Sequence, residues 1–263
     1  MRDAIVNIAV QAARAAGNII MRATDRLDMV KVTEKNSNDF FTEIDQLAEK
    51  EIISVIRKAH PNHSILGEQS GEIAGNDTQW IIDPIDGTRN FFHGFPHFAV
   101  SIAISFKNVV QQAVIYDPVR QDLFTASRGK GAQLNERRLR VSTRSQLEEC
   151  MLGTNFPHHY SPEHRAAYIK SLQELTPMCS DIRRSGCTSL DLAYVAAGRL
   201  DGFWGLALTP WDVAGGALFV QEAGGIVCDT NGGEEFLKTG NIVAGNPKIL
   251  KLLLKAVKPH LEL

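Results

Sequence analysis

Several kinds of protein are excluded by what this chain has little of. It holds only four cysteines in 263 residues, Cys150, Cys179, Cys187 and Cys228. No two of them stand in C-x-x-C spacing, so a zinc ribbon or a disulfide framework is not expected, and each reads as a buried, reduced thiol. Charge of one sign is also missing. The net charge is −2 and the sequence pI about 6.4, which removes the electrostatic case for nucleic acid, DNA included, or for an anionic membrane. We find no internal repeat and no low-complexity segment. The N-terminus shows no signal-peptide pattern, and Arg14 interrupts its apolar stretch, so no run reads as long enough to span a bilayer and a cytoplasmic location is expected. The histidines also make no metal site, since no helix presents a pair of them to an ion. His93 and His97 are separated by Gly94 and Pro96, and His158-His159 reads as a loop pair.

What is present is an ordered series of apolar patterns. Ile5, Ile8, Ala9, Ala12, Ala16, Ile19 and Ile20 repeat at helical spacing over 4–22. The polar stretch Lys31 to Asp39 reads as a loop, and a second helix is predicted from Thr42 to Ala59, with Ile44, Leu47, Ala48, Ile52, Val55 and Ile56 on its inner face. Strands are expected over Phe98–Phe106, Val109–Tyr116, Leu123–Ala126 and Ala132–Val141, an antiparallel meander. Beyond a soft boundary near residue 143 the pattern becomes α/β. Helices are expected near 162–174, 189–198, 212–223 and 247–257, and strands near 201–206, 226–229 and 241–244. The chain thus divides into an α+β region over 1–143 and an α/β region over 144–263.

Chemistry concentrates at Trp80-Ile81-Ile82-Asp83-Pro84-Ile85-Asp86-Gly87-Thr88-Arg89-Asn90-Phe91. An apolar strand ends in two carboxylates flanking a proline that fixes the backbone, so both can face one point. Convergent hard oxygen donors suit Mg²⁺, and Gly87-Thr88 offers donors to a phosphate. Three further carboxylates share this placement at the ends of elements. Glu68 follows Ile65-Leu66-Gly67, Asp45 lies on a first helical turn three residues after Thr42, and Asp212 opens the helix after Pro210-Trp211. Singly, each has a plainer reading: Glu68 a solvated loop acid, Asp212 a helix N-cap, Asp45 a first-turn charge stabilised by the helix dipole. Together they would repel one another without cations, so a metal cage explains them better.

These stretches, with Trp211-Asp212-Val213-Ala214-Gly215-Gly216 and Gly240-Asn241-Ile242-Val243-Ala244-Gly245-Asn246-Pro247, resemble the inositol monophosphatase family of Mg²⁺-dependent, lithium-sensitive phosphatases over essentially the whole chain. The resemblance implies a layered α/β/α/β/α sandwich of the sugar phosphatase type and a homodimer. It implies that Glu68, Asp83 and the Ile85 carbonyl hold a first Mg²⁺, that Asp83, Asp86 and Asp212 hold a second, and that Glu68 helps a third, weaker one. Thr88 would pair with Asp45 to orient the attacking water. Gly87 and Thr88 would bind the phosphate, and Arg183, Asp212, Asp86 and the segment Gly186-Cys187-Thr188 would lie by the alcohol portion of the substrate. Lys35 could assist near this site, although a lone loop lysine is more commonly solvated.

The implied activity is hydrolysis of inositol-1-phosphate or a related small polyol phosphate. Fructose-1,6-bisphosphate and nucleotide 3′-phosphates rank lower because the loops are short. Some bacterial members of the family also act as partners of the transcription elongation machinery in antitermination. This gives a second reading, association with RNA polymerase and Nus-type factors, with Arg183, Arg184 or the basic run Arg137, Arg138, Arg140 and Arg144 as contact points; the plainer reading of that run is a solvated strand edge. Three positions depart from the family pattern. Arg89 stands where many members have a threonine, Gln69 where many have a second glutamate, and Gly205 where inositol-specific members carry a glutamate seven residues before the Trp-Asp aspartate. A glycine supplies no acceptor to a polyol, which loosens discrimination.

Overall fold

The computed structural model describes residues 4–36, 39–156 and 162–261. The chain opens with helix α1 (Ala4–Thr24), a strand pair β1 (Val32–Asn36) and β2 (Asp39–Thr42), and helix α2 (Glu43–Ala59). Then follow β3 (His63–Gly67), β4 (Gly71–Ile73), β5 (Asn76–Asp86), the short helix α3 (Thr88–Phe92), β6 (Ala99–Phe106), β7 (Val109–Asp117), β8 (Asp122–Ser127), β9 (Gly131–Leu134) and β10 (Arg137–Arg138). The remainder comprises β11 (Met151–Thr154), α4 (Pro162–Leu175), β12 (Asp181–Arg183), α5 (Thr188–Ala196), β13 (Gly202–Gly205), α6 (Pro210–Glu222), β14 (Ile226–Cys228), α7 (Phe236–Thr239), β15 (Ile242–Gly245) and α8 (Pro247–Leu261).

Two sheets organise these elements. One has eight strands in the order β10-β9-β8-β7-β6-β5-β3-β4, the other five in the order β12-β11-β13-β15-β14. Helices α1 and α2 cover the outer face of the larger sheet, α5 and α6 lie between the sheets, and α4 and α8 cover the smaller one. This is the α/β/α/β/α sandwich. Period-two alternation feeds its separate cores. On β5, Trp80 and Ile82 enter the core under α1 and α2, while Ile81 faces the core shared with α5 and α6. On β13, Phe203 faces that middle core and Trp204 the core under α8. Strands buried on both faces read as continuous apolar runs, which is why they stand out in the sequence.

Several elements differ from expectation. The predicted strand Ala132–Val141 is broken into the β9–β10 hairpin, because Asn135 and Glu136 both take positive φ, 46° and 70°, and turn the chain back. The stretch read as a loop from Lys31 contains β1, paired antiparallel with β2. Leu47, expected on the inner face of α2, is 50% exposed. Helix α6 begins at Pro210 with Thr209 as its N-cap, so Asp212 is not a cap but sits three residues inside the first turn. Helix α1 is, by length and composition, apolar enough to cross a membrane. Its Val6, Ala9, Ala13, Ala16 and Ile20 are instead buried in the core shared with α2 and the sheet, and its exposed face carries Asn7, Gln11, Arg14 and Asn18. Cys150, Cys187 and Cys228 are buried thiols and Cys179 is half-buried. His158-His159 and the side chain of Lys35 lie outside the described residues.

Candidate active site

The site is assembled where β3 and β5 end. These strands run parallel with Gly67 opposite Ile82, so the residues that follow, Glu68 and Asp83, emerge side by side. The Glu68 N–H donates to the Ile82 carbonyl at 3.1 Å and fixes this alignment. Helix α6, packed on β5, β6 and β7, brings in Asp212 from the other direction. Carboxylate oxygens of Asp83, Asp86 and Asp212 then lie within 4.8 Å of one another.

Each acid is oriented by its own donors. Asp83 is 2% exposed, and its Oδ1 accepts the Ile85 N–H at 3.1 Å. Asp86 projects to the start of α5, where its Oδ2 accepts the Ser189 N–H at 2.6 Å and the Cys187 thiol at 3.3 Å. A helix N-terminus favours such a carboxylate. Asp212 Oδ2 accepts both the N–H and the hydroxyl of Thr209, at 2.7 and 2.8 Å. Asp45 repeats that pattern at the start of α2. Its Oδ2 accepts the N–H and hydroxyl of Thr42 at 2.7 and 2.6 Å, and its Oδ1 faces the Thr88 hydroxyl at 3.0 Å. The same hydroxyl lies 2.9 Å from the Ile85 carbonyl.

The electrostatics are those of acids held together against their mutual repulsion. Burial pushes the Asp83 carboxyl well above its ordinary value, and repulsion from Glu68, Asp86, Asp212 and Asp45 pushes it further. Burial also raises Asp86, against the opposing hydrogen bonds from Ser189 and Cys187, and raises Asp45 against those from Thr42 and Thr88. Three hard oxygen donors held together at this energetic disadvantage fit a Mg²⁺ site. The Cys187 thiol beside Asp86 is pushed well up by burial, which makes it a neutral donor and not a nucleophile.

Glycine is required at Gly87. Its φ is +93°, and a Cβ there would lie 3.0 Å from the His97 carbonyl oxygen, 3.2 Å from the Gly186 carbonyl oxygen and 3.4 Å from Cys187 Cβ. The Gly87-Thr88 turn therefore rests directly on the Gly186-Cys187-Thr188 segment. Asn90 stitches the two together, its Nδ2 donating to the His97 and Ser185 carbonyls at 2.7 and 2.9 Å.

A model of the inositol monophosphatase family matches residues 1–262. The chain belongs to the inositol monophosphatase family. It is 53% identical to the Nus factor SuhB of Pseudomonas aeruginosa over 262 residues, 98% of this chain and 97% of that one. The crystal structure of the extragenic suppressor protein suhB from Bartonella henselae superimposes with a TM-score of 0.94 at 45% identity, covering 97% of this chain and 99% of that one. An inositol monophosphatase from Anabaena superimposes with a TM-score of 0.85 at 36% identity, covering 97% and 95%.

Measured against the family pattern, the fold brings Asp83, Asp86 and Asp212 together, and Asp45 with Thr88 and the Ile85 carbonyl. Glu68 is close enough to raise the Asp83 carboxyl but lies outside the tight group of three. Arg183 ends β12 and is paired with Asp181, and it lines a pocket with Asn90, Phe95, His97 and Arg184 in which no acid of that group takes part. Arg144, grouped above with the basic run, is engaged inward by Asp201 at 2.9 Å. Thr209, Ser189 and Asn90, which orient Asp212, Asp86 and the Gly87 turn, went unread in the sequence. A signal existed for the first, since Thr42-x-x-Asp45 and Thr209-x-x-Asp212 are the same capping pattern.

A side chain at Gly205 would displace its neighbours. A Cβ there would lie 2.6 Å from Leu208 Cδ1, 2.8 Å from Phe203 Cε1 and 3.0 Å from Asn155 Oδ1. The segment after β13 is packed around the glycine, so a glutamate at 205 would require both Leu208 and the Phe203 ring to move.

Proposed function

We propose that the chain is a Mg²⁺-dependent phosphomonoesterase acting on inositol-1-phosphate or a related small polyol phosphate. The observation that carries this reading is the convergence of Asp83, Asp86 and Asp212 at the ends of a buried strand and a helix, beside the Asp45–Thr88 pair. Glu68, Asp83, Asp86, Asp212 and the Ile85 carbonyl would hold the ions, two or three in all. Bound Mg²⁺ neutralises the anionic ester, lowers the pKa of water and stabilises the departing alkoxide, which dispenses with a protein general acid. The rest falls to this chain's own groups. Asp45 holds the Thr88 hydroxyl against the attacking water, and Gly87 and Thr88 present N–H groups to the phosphate. Gly186, Cys187, Thr188 and Arg183 border the alcohol side. On this reading residues 1–143 supply most of the acids and residues 144–263 bring Asp212 across the cleft, in a cytoplasmic homodimer. The absence of an acceptor side chain at Gly205 supports a broad polyol range over strict inositol selectivity.

The test is phosphate release with Mg²⁺ from inositol-1-phosphate, glycerol-2-phosphate, fructose-1,6-bisphosphate and a 3′,5′-nucleotide. We expect release from both of the first two, since a site with fewer hydrogen-bond partners discriminates polyols less well. Inactivity on all four would overturn the enzyme reading.

The name of the Pseudomonas relative favours a second reading, in which the chain partners Nus-type factors in transcription antitermination. Pull-down of Nus factors by the purified chain tests it. Capture that survives Asp83→Asn would separate the partner role from the metal site, and no capture by either form would reject it.

A further inference from the structure

Glu49 lies on α2 one helical turn after Asp45, is 2% exposed, and takes no part in the acid cluster. Burying a carboxylate is costly unless its oxygens are satisfied. Here both are met by one loop. Oε2 accepts the Gln69 N–H at 2.9 Å and Oε1 accepts the Ser70 N–H at 2.7 Å. The loop closes over the carboxylate because residue 67 is glycine. A Cβ on Gly67 would lie 2.7 Å from Glu49 Oε2 and 2.6 Å from Ser70 Oγ. Glu68 is thereby gripped on both sides, by Glu49 through residues 69 and 70, and by the β5 carbonyl of Ile82 through its own N–H.

We propose that Glu49 is a positioning residue that sets the Glu68 carboxylate for metal binding, making α2 a ruler from which two parts of the site hang: Thr88 through Asp45, and the Glu68 loop through Glu49. This role rests on the metal reading given above. A helix is stiffer than the loop it holds, so anchoring both at positions four residues apart fixes their spacing. Supporting groups that orient a ligand without touching the ion typically change metal affinity by roughly 10–100-fold when removed.

The experiment is calorimetric titration of Mg²⁺ alone into the wild-type chain, Glu49→Gln and Glu49→Ala, with amide hydrogen exchange followed over residues 67–70. In Glu49→Ala we expect Mg²⁺ affinity to fall by roughly tenfold or more with faster exchange in the loop. Glu49→Gln keeps one acceptor oxygen and should fall between the two, which carries the test should the alanine variant fail to fold. Turnover at saturating Mg²⁺ should recover to within about threefold of wild type, the split expected of a residue that acts through ion binding. Wild-type Mg²⁺ affinity in Glu49→Ala, or in Glu49→Gln where only that variant folds, removes the role of Glu49 and leaves the metal site standing. A wild-type chain that takes up no Mg²⁺ brings down the metal reading and this role with it.

Discussion

Asp83→Asn should sharply reduce phosphate release while making the metal-free protein more stable. The two effects have one origin. The Asp83 carboxyl is raised well above its ordinary value of 3.8, first by burial and then by four neighbouring acids. A group whose folded pKa is raised contributes stability below its unfolded pKa and loses it as pH rises through the folded value. Above the ordinary carboxylate range the metal-free fold must either bury a repelled charge or take up a proton, and both cost stability. Asparagine removes that charge and keeps an oxygen for the Ile85 N–H. The melting temperature without Mg²⁺ should rise at pH 7.5, by about 2–4 °C for each kcal/mol relieved in a chain of this size, and the gain should vanish below the ordinary carboxylate range. In the wild type, Mg²⁺ should stabilise by about 2.7 kcal/mol at a hundredfold excess over its dissociation constant, a shift the variant loses. Activity should drop by roughly a thousandfold, equivalent to about 4 kcal/mol of transition-state stabilisation. Thermal melts with and without Mg²⁺, beside a phosphate-release assay, check all of this. A variant that melts lower than wild type in the absence of metal would mean that Asp83 is held by structural partners and not stored for a cation.

The acids were legible in the sequence because each follows a feature that periodicity reveals: the apolar run Trp80–Ile82, the pair Ile65-Leu66, and the two helix starts. What was not legible is how they are aimed. Ser189 meets Asp86 across more than a hundred residues, and Asn90 ties the Gly87 turn to Ser185 across 95. Backbone N–H donors carry no sequence signature at all, which is why the contacts from Ile85, Gln69 and Ser70 appear only in three dimensions. The alternation of helices and strands was legible and the run Trp80–Ile82 read as a buried strand, while the layered sandwich followed from the family resemblance. Strand breaks were not legible, because the positive φ at Asn135 and Glu136 belongs to a two-residue turn with no glycine to announce it. Gly205 shows the converse. From the sequence it is a missing acceptor; in the fold it is also a packing requirement imposed by Leu208 and Phe203.

Asp45→Asn should separate orientation from metal binding. Asp45 is fully buried, with Oδ2 bound by Thr42 and Oδ1 facing the Thr88 hydroxyl. Asparagine preserves the shape but exchanges one acceptor oxygen for an NH₂ donor. The Thr42 N–H and hydroxyl require an acceptor, so the amide oxygen must stay on that side and the NH₂ must face Thr88. The Thr88 oxygen then accepts from Asn Nδ2, and its proton can go only to the Ile85 carbonyl 2.9 Å away. Its capacity to receive a proton from an attacking water is consumed. Loss of a positioned proton acceptor costs roughly 10²–10⁴-fold in rate. Stability should move little or rise, since burial raises the Asp45 carboxyl and the variant carries no charge to bury. The Mg²⁺ dependence should stay within about threefold of wild type, because the acids at 83, 86 and 212 are untouched. Steady-state kinetics across a Mg²⁺ series decide the matter. Turnover that falls at every Mg²⁺ concentration with an unchanged midpoint places Asp45 in the nucleophile's orientation, and a midpoint displaced tenfold would place it in the metal site.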